Sequence, residues 1–195
     1  MSEPSRRIFS LDEFLSWEDR QEQKFELVDG QTVMMAGGTQ AHALIAANIV
    51  SALRAALRGG PCRPSGSDLR LPIPATGNSR YPDVTVDCGR FDPAARDATE
   101  PRIVFEVLSD STGWYDQTRK LRDYDAVPSI RQYVCVSQSE ARVLIWRRDA
   151  AGRLVPEAAI LDGDATLDTG EGGVSLRLAD IYEGTGLAAS SAGSS

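Results

Sequence analysis

One run, Ile103-Val104-Phe105-Glu106-Val107-Leu108, narrows the possible folds more than any other stretch of the chain. Its opening residues are apolar without alternation, as in a central strand covered on both faces. The run also carries a single carboxylate. In mid-strand, among such neighbours, an unpaired Glu106 has a large desolvation penalty. It must meet a cation, a metal or a hydrogen-bond donor. An arginine partner or a solvated sheet edge would satisfy it as well as a metal would.

The elements around this run alternate between helical and strand patterns. Ser10-Leu-Asp-Glu13 reads as a capping box opening a short helix to about Arg20. Phe25 to Val28 and Gln31 to Met35 read as strands joined by an Asp29-Gly30 hairpin turn. Thr39 can cap a helix from about Gln40 to Arg58, in which Leu44, Ile45, Ile49, Val50, Leu53 and Leu57 follow the helical period. Strand-like runs follow at Asp68 to Ile73, Pro82 to Cys88 and Arg102 to Leu108. A helix from Asp116 to Val127 is ended by Pro128, and further strands follow at Gln132 to Ser137 and from Arg142 onward. This order predicts an α/β or α+β fold, one mixed sheet flanked by helices. Residues 1–187 are read as one domain and the small, polar residues 188–195 as a disordered tail.

Asp83 follows Pro82 at the mouth of one strand, and Glu106 lies on the next, twenty-three residues later. Adjacent strands would bring both carboxylates to one end of the sheet. There they repel unless a divalent cation sits between them. Magnesium binds through one or two carboxylates together with waters and phosphate oxygens. Such an ion polarises a phosphodiester and activates a water.

Several segments together resemble one family: Phe25-Glu-Leu-Val-Asp-Gly30, His42 opening a helix, Tyr81-Pro-Asp-Val84, Val104-Phe-Glu-Val-Leu-Ser109, Asp116 to Lys120, Tyr124 and Gln132-Tyr-Val134. The set is similar to the Uma-type restriction-endonuclease family of the PD-(D/E)XK nuclease superfamily, over about Leu11 to Arg148. The resemblance implies a restriction-endonuclease-like fold and a DNA endonuclease dependent on Mg²⁺ or Mn²⁺. It makes Asp83 and Glu106 the metal carboxylates and the Val107 carbonyl a further ligand. Glu26 and His42 would join the pocket as additional metal or phosphate contacts. One departure is visible: the superfamily lysine belongs two residues after the glutamate, where this chain has Leu108. Lys120, on the following helix, is the match, and it shares a helical face with Asp116. Arginine supplies 19 of the 21 basic side chains, so a retained lysine at 120 fits a compact ammonium beside a nucleophilic water. A surface Asp116–Lys120 pair is the plain alternative.

Weaker candidates surround this set. Asp68 or Arg70 is expected on a strand next to Asp83, lining the same cleft. Trp114 is the tryptophan to suspect of a nucleic-acid contact, while Trp17 and Trp146 are expected to pack. Arg119 and Arg122 could touch phosphate or simply face solvent.

Charge and cysteines bound the rest. The net charge of −7 excludes whole-surface attraction to nucleic acid but leaves room for a local basic groove. No apolar run approaches the roughly 18 to 20 residues of a membrane helix. The N-terminus lacks the pattern of a secretory signal. Cys62, Cys88 and Cys135 read as isolated buried thiols in a reducing cytoplasm, with no disulfide frame. DNA is the expected partner and a homodimer the expected assembly, because duplex cleavage asks for two active sites. Two rival functions remain at this level: a nuclease-fold binding module without catalysis, and a metal-dependent hydrolase of a small phosphorylated molecule.

Overall fold

The computed structural model describes residues 8–109, 114–161, 163–169 and 173–187, so the expected tail at 188–195 lies outside the described residues. The capping box forms as expected. Ser10 Oγ accepts from Glu13 N, and the Glu13 carboxylate accepts from Ser10 N, opening α1 (Leu11–Glu18). Strands β1 (Phe25–Val28) and β2 (Gln31–Met34) pair across Asp29 and Gly30, whose φ angles of 48° and 78° match the inverse turn that Asp-Gly favours. Thr39 caps α2 (Gln40–Ala56). Next come β3 (Arg63–Gly66), β4 (Leu71–Ile73), β5 (Asn78–Arg80), β6 (Val84–Asp87) and β7 (Pro101–Leu108). Then α3 (Trp114–Asp125) leads to β8 (Gln132–Ser137), β9 (Val143–Arg148) and β10 (Leu154–Pro156). A hairpin of β11 (Asp164–Asp168) and β12 (Gly173–Arg177) and the short α4 (Leu178–Ile181) complete the described elements.

The main sheet has six strands in the order β10-β9-β8-β7-β6-β3. It is mixed: β7 and β8, joined through α3, run parallel, and the other neighbours are antiparallel. Strand β7 is central, with apolar side chains buried on both faces. On one face Ile103, Phe105 and Val107 meet Ile45, Ile49 and Leu53 of α2, together with the β11–β12 hairpin and α4. On the other, Val104 meets Tyr124, Tyr133 and β4, with Leu121 of α3 against them. Each of Ile45, Ile49 and Leu53 is fully buried, so truncating any of them to alanine costs about 2–5 kcal/mol.

The fold class is the expected one, but not every strand joins the main sheet. Strands β2-β1-β5-β4 form a separate four-stranded sheet, and β11-β12 a two-stranded one. Strands β4 and β5 have three residues each, too few to show a period, and β3 (Arg-Pro-Ser-Gly) carries no strand-favouring side chain. Trp17 packs with Phe9, Phe14 and Phe25, and Trp146 stacks on Tyr133, as expected.

The cysteine reading requires correction. Cys62 and Cys88 form a disulfide, and Cys135 is the free, buried thiol. The β3–β6 register pairs Arg63 with Asp87, which sets the two cysteines opposite each other one step beyond the ladder. Because β3 carries no sequence signal, this pairing could not be read from spacing. Among the described residues no helix is long and apolar enough to cross a membrane.

Candidate active site

Strands β6 and β7 pair with Val84 opposite Phe105, so one step further Asp83 stands opposite Glu106. The ladder ends there. Val107 N, with no strand partner left on that side, donates to Asp83 Oδ2 at 2.7 Å. In an extended strand the N–H and C=O of one residue point to the same side. The Val107 carbonyl therefore points past the end of β6, toward Asp83. The Leu108 carbonyl points the other way and accepts from Gln138 N.

Two helices close the site. His42, in the first turn of α2, brings Nε2 within 3.1 Å of Asp83 Oδ2. The close approach of its ring needs a glycine at 38, since a Cβ there would meet His42 Nδ1 at 2.7 Å. Lys120, on α3, places Nζ 2.7 Å from Glu106 Oε2. Tyr124, one turn later, donates its hydroxyl to Glu106 Oε1. The side chain of Glu106 is 4% exposed, those of Asp83 and Lys120 14% and 16%. A cavity of about 470 Å³ opens over these residues and is lined also by Glu26, Gly38, Gln117 and Gln138. His42 and Asp83 form the border with a larger groove of about 980 Å³ along α2, lined by Ala43, Ala47, Arg54 and Lys24.

Beneath the cavity lies a buried charge network. Glu26 Oε2 accepts from Arg80 Nη1 at 2.9 Å, and Glu26 Oε1 from Tyr81 N at 3.1 Å. Arg80 also meets Asp123 of α3 through Nε at 2.8 Å and Nη2 at 2.7 Å. Asn78 Nδ2 donates to the other oxygen of Asp123 at 2.8 Å. This network clamps α3, with Lys120 and Tyr124 on it, to the four-stranded sheet.

Asp83, Glu106 and Lys120 thus converge, with His42 at the border of the cavity and Glu26 in its floor. Other expected residues do not join them. Arg70 is 3% exposed and bound by Glu18 (2.7 Å), Asp19 (3.1 Å) and Asp97 (2.6 Å), which corrects its placement in the cleft. Its neighbour Asp68 is paired with Lys24 at 2.7 Å in the adjoining groove, not on a strand beside Asp83. Arg119 and Arg122 both bind Asp29 at the β1–β2 turn, so neither points at the cavity. The side chains of Trp114 and Asp116 lie outside the described residues. The roles of Tyr124 and Arg80 were not foreseen. Tyr124 is four residues after Lys120, and that shared helical face was the available signal. Arg80 gave none, since one arginine among nineteen looks like any other.

Burial pushes the Glu106 carboxyl up to about 7; Lys120 pulls it down, and Asp83 and Glu26 push it further up. The hydrogen bond that His42 donates to Asp83 raises its imidazole above the ordinary value, against the effect of burial. Both groups therefore hold protons more tightly in the folded than in the unfolded chain. Protonated Glu106 adds stability that is lost as pH rises from its unfolded value of about 4.5 to about 7. The contribution of His42 is lost in the same direction, at higher pH. The metal-free protein should lose stability between about pH 5 and pH 8, with Glu106 contributing on the order of 3 kcal/mol. Urea unfolding in a chelator at both pH values measures this loss, and Glu106→Gln should remove most of the slope.

Comparison with other proteins identifies the relatives of this arrangement. The family model described as "Uma2: Putative restriction endonuclease" matches residues 11–179. A Synechocystis protein described as "Uncharacterized protein slr1290" is 37% identical over 147 residues, which cover 73% of this chain and 76% of that protein. A second from the same organism, "Uncharacterized protein sll1609", is 28% identical over 140 residues, covering 70% and 79%. The crystal structure of "a putative nuclease belonging to DUF820" from Anabaena variabilis superimposes with a TM-score of 0.68 at 19% identity, covering 89% of this chain and 97% of the other. At that identity the likeness is one of fold.

Proposed function

Because the chain belongs to the Uma2 family, we propose that it is a divalent-metal-dependent nuclease hydrolysing phosphodiester bonds of DNA in the cavity between Asp83, Glu106 and Lys120. The observation that carries this reading is the convergence of two carboxylates and one ammonium on the end of a broken strand ladder.

The donor set fits a hard cation. Asp83 Oδ2 is held by Val107 N and His42, and among the described residues nothing donates to Oδ1. Glu106 offers Oε2, and the Val107 carbonyl points to the same place. Glu26 and His42 already have protein partners and act as supports rather than ligands. Among the described residues no three His, Cys, Asp or Glu side chains form a metal-holding group. Water and substrate oxygens would complete the shell, as is usual for magnesium. When bound, Mg²⁺ or Mn²⁺ supplies Lewis acidity toward a phosphoryl oxygen and a lowered pKa for a coordinated water. Lys120 steadies the phosphate or exchanges a proton with the attacking water. His42 fixes the rotamer of Asp83. A homodimer would supply the second site that duplex cleavage requires.

A second reading has specific support. Among the described residues no arginine lines the 470 Å³ cavity, and carboxylates outnumber its cations. That composition favours a small phosphorylated substrate over a long polyanion. The test is supercoiled plasmid against bis(p-nitrophenyl) phosphate, each with Mg²⁺ or Mn²⁺, using wild type and Lys120→Ala. Plasmid nicking that the variant abolishes supports the nuclease. Turnover of the small diester alone supports the second reading. Inactivity on both leaves a binding module and overturns the proposal.

A further inference from the structure

We propose that Tyr124 is a positioning residue that commits Glu106 Oε1 to the protein interior, so that Oε2 alone faces the cavity, where Lys120 holds the place a divalent cation takes. This inference rests on the reading that Asp83 and Glu106 hold the metal. It adds how Glu106 is presented and what must leave when the ion arrives.

The two oxygens of Glu106 have different surroundings. Tyr124 is fully buried, and its hydroxyl donates to Oε1. Lys120 lines the cavity and donates to Oε2 at 2.7 Å. Tyr124 is itself held in place, with its ring 5.0 Å from that of Tyr133 and its own turn of α3 anchored by the Asp123–Arg80 pair of the preceding residue. The carboxylate therefore cannot turn both oxygens to the cavity without stripping a buried hydroxyl of its acceptor, which costs about 1–3 kcal/mol. Oε1 is closed to a metal, and Glu106 becomes a one-oxygen ligand. A single carboxylate oxygen suits the small octahedral shell of Mg²⁺ or Mn²⁺. The larger, more irregular shell of Ca²⁺ makes better use of two.

Lys120 and a cation then compete for one oxygen. The ammonium neutralises Glu106 in the metal-free protein and is displaced by the ion. Once displaced, it remains tethered to α3 within reach of a phosphate bound beside the metal. No chain rearrangement is needed, only rotation about the lysine stem. The competition is reciprocal, so at a pH high enough to keep Glu106 ionised without its ammonium, removing that ammonium must tighten metal binding.

The test is equilibrium binding of Mn²⁺, followed by the paramagnetic resonance signal of the free ion, with Mg²⁺ and Ca²⁺ as competitors. Wild type, Asp83→Asn, Lys120→Met and Tyr124→Phe are compared. At alkaline pH, where Glu106 stays ionised in every variant, Lys120→Met should bind Mn²⁺ about fivefold or more tightly than wild type. Loss of packing does not tighten a site, so a merely structural lysine cannot give this result. Tyr124→Phe should shift the preference toward Ca²⁺ relative to Mg²⁺ by several-fold. Unchanged or weaker Mn²⁺ binding in Lys120→Met at that alkaline pH overturns the competition. An unaltered Ca²⁺ to Mg²⁺ ratio in Tyr124→Phe overturns the positioning role. Wild-type Mn²⁺ binding that survives Asp83→Asn overturns both this inference and the metal site. Metal binding with the expected shifts but no cleavage of any diester leaves this inference standing while the nuclease reading falls.

Discussion

Arg80→Leu is expected to lower the unfolding free energy by about 3–5 kcal/mol, the usual cost of removing one partner from a buried ion pair. The Arg80 side chain is 2% exposed, and both carboxylates it serves are buried or nearly so: Asp123 at 0% and Glu26 at 13%. Burial works against the guanidinium charge, but Glu26, Tyr124 and Asp123 more than offset it and hold the group protonated. Leucine fills part of the volume and leaves two carboxylates facing each other in a poorly solvated space. Among the described residues Asp123 then keeps only Asn78 as a donor at hydrogen-bond distance. Urea unfolding measures the loss. The double variant Arg80→Leu/Asp123→Leu should recover part of it, because the cost lies in the stranded charge rather than in the missing attraction. Single and double variants of equal stability would show that Asp123 is not stranded. The effect should reach the site as well, since Arg80 ties α3 to the sheet and α3 carries Lys120.

The legible parts of this chain were those with a local cause. The Ser10–Glu13 capping box, the Asp29-Gly30 turn and the helical period from Leu44 to Leu53 depend on neighbours within a few residues, and each formed where expected. The apolar run at 103–108 announced the central strand, and the carboxylate within it pointed to the candidate site. What stayed hidden depends on register between distant segments. Cys62 meets Cys88 because Arg63 pairs with Asp87, and Arg70 turns inward because Glu18, Asp19 and Asp97 surround it. The strands of the second sheet are too short for periodicity, so one sheet is expected where the described residues form three. Among the candidate site residues, Asp83 and Glu106 stand out by their positions, and Lys120 by resemblance and by the scarcity of lysine. Tyr124 belongs to the resembled pattern without a role legible in it, because nothing in sequence says which oxygen of Glu106 its hydroxyl meets.

Glu106→Gln is expected to abolish metal-dependent phosphodiester cleavage while making the metal-free protein more stable above about pH 7. The two effects share one cause. Folding forces a carboxylate into a place where burial favours its neutral form, so above pH 7 the charge is held at a cost. An amide of the same shape avoids that cost: its oxygen can accept from Lys120 while its NH2 donates to the Tyr124 hydroxyl, which can also act as an acceptor. It lacks the charge needed to hold a divalent ion, and several kcal/mol of transition-state stabilisation go with the ion. A loss of about 10³-fold or more follows, since each tenfold in rate corresponds to about 1.4 kcal/mol. Asp83→Asn should lose activity to the same degree but without the gain in stability. Asp83 is partly solvated and already satisfied by Val107 N and His42, so its charge is less costly to hold. Rates of plasmid nicking at saturating Mn²⁺, set beside urea midpoints in chelator at pH 8, give both quantities for each variant. A Glu106→Gln protein that is inactive and less stable than wild type would show that the carboxylate supports the fold more than it burdens it. Strain at Glu106 would then not be the cost of keeping a metal ligand in the sheet, and its burial would need a structural explanation instead.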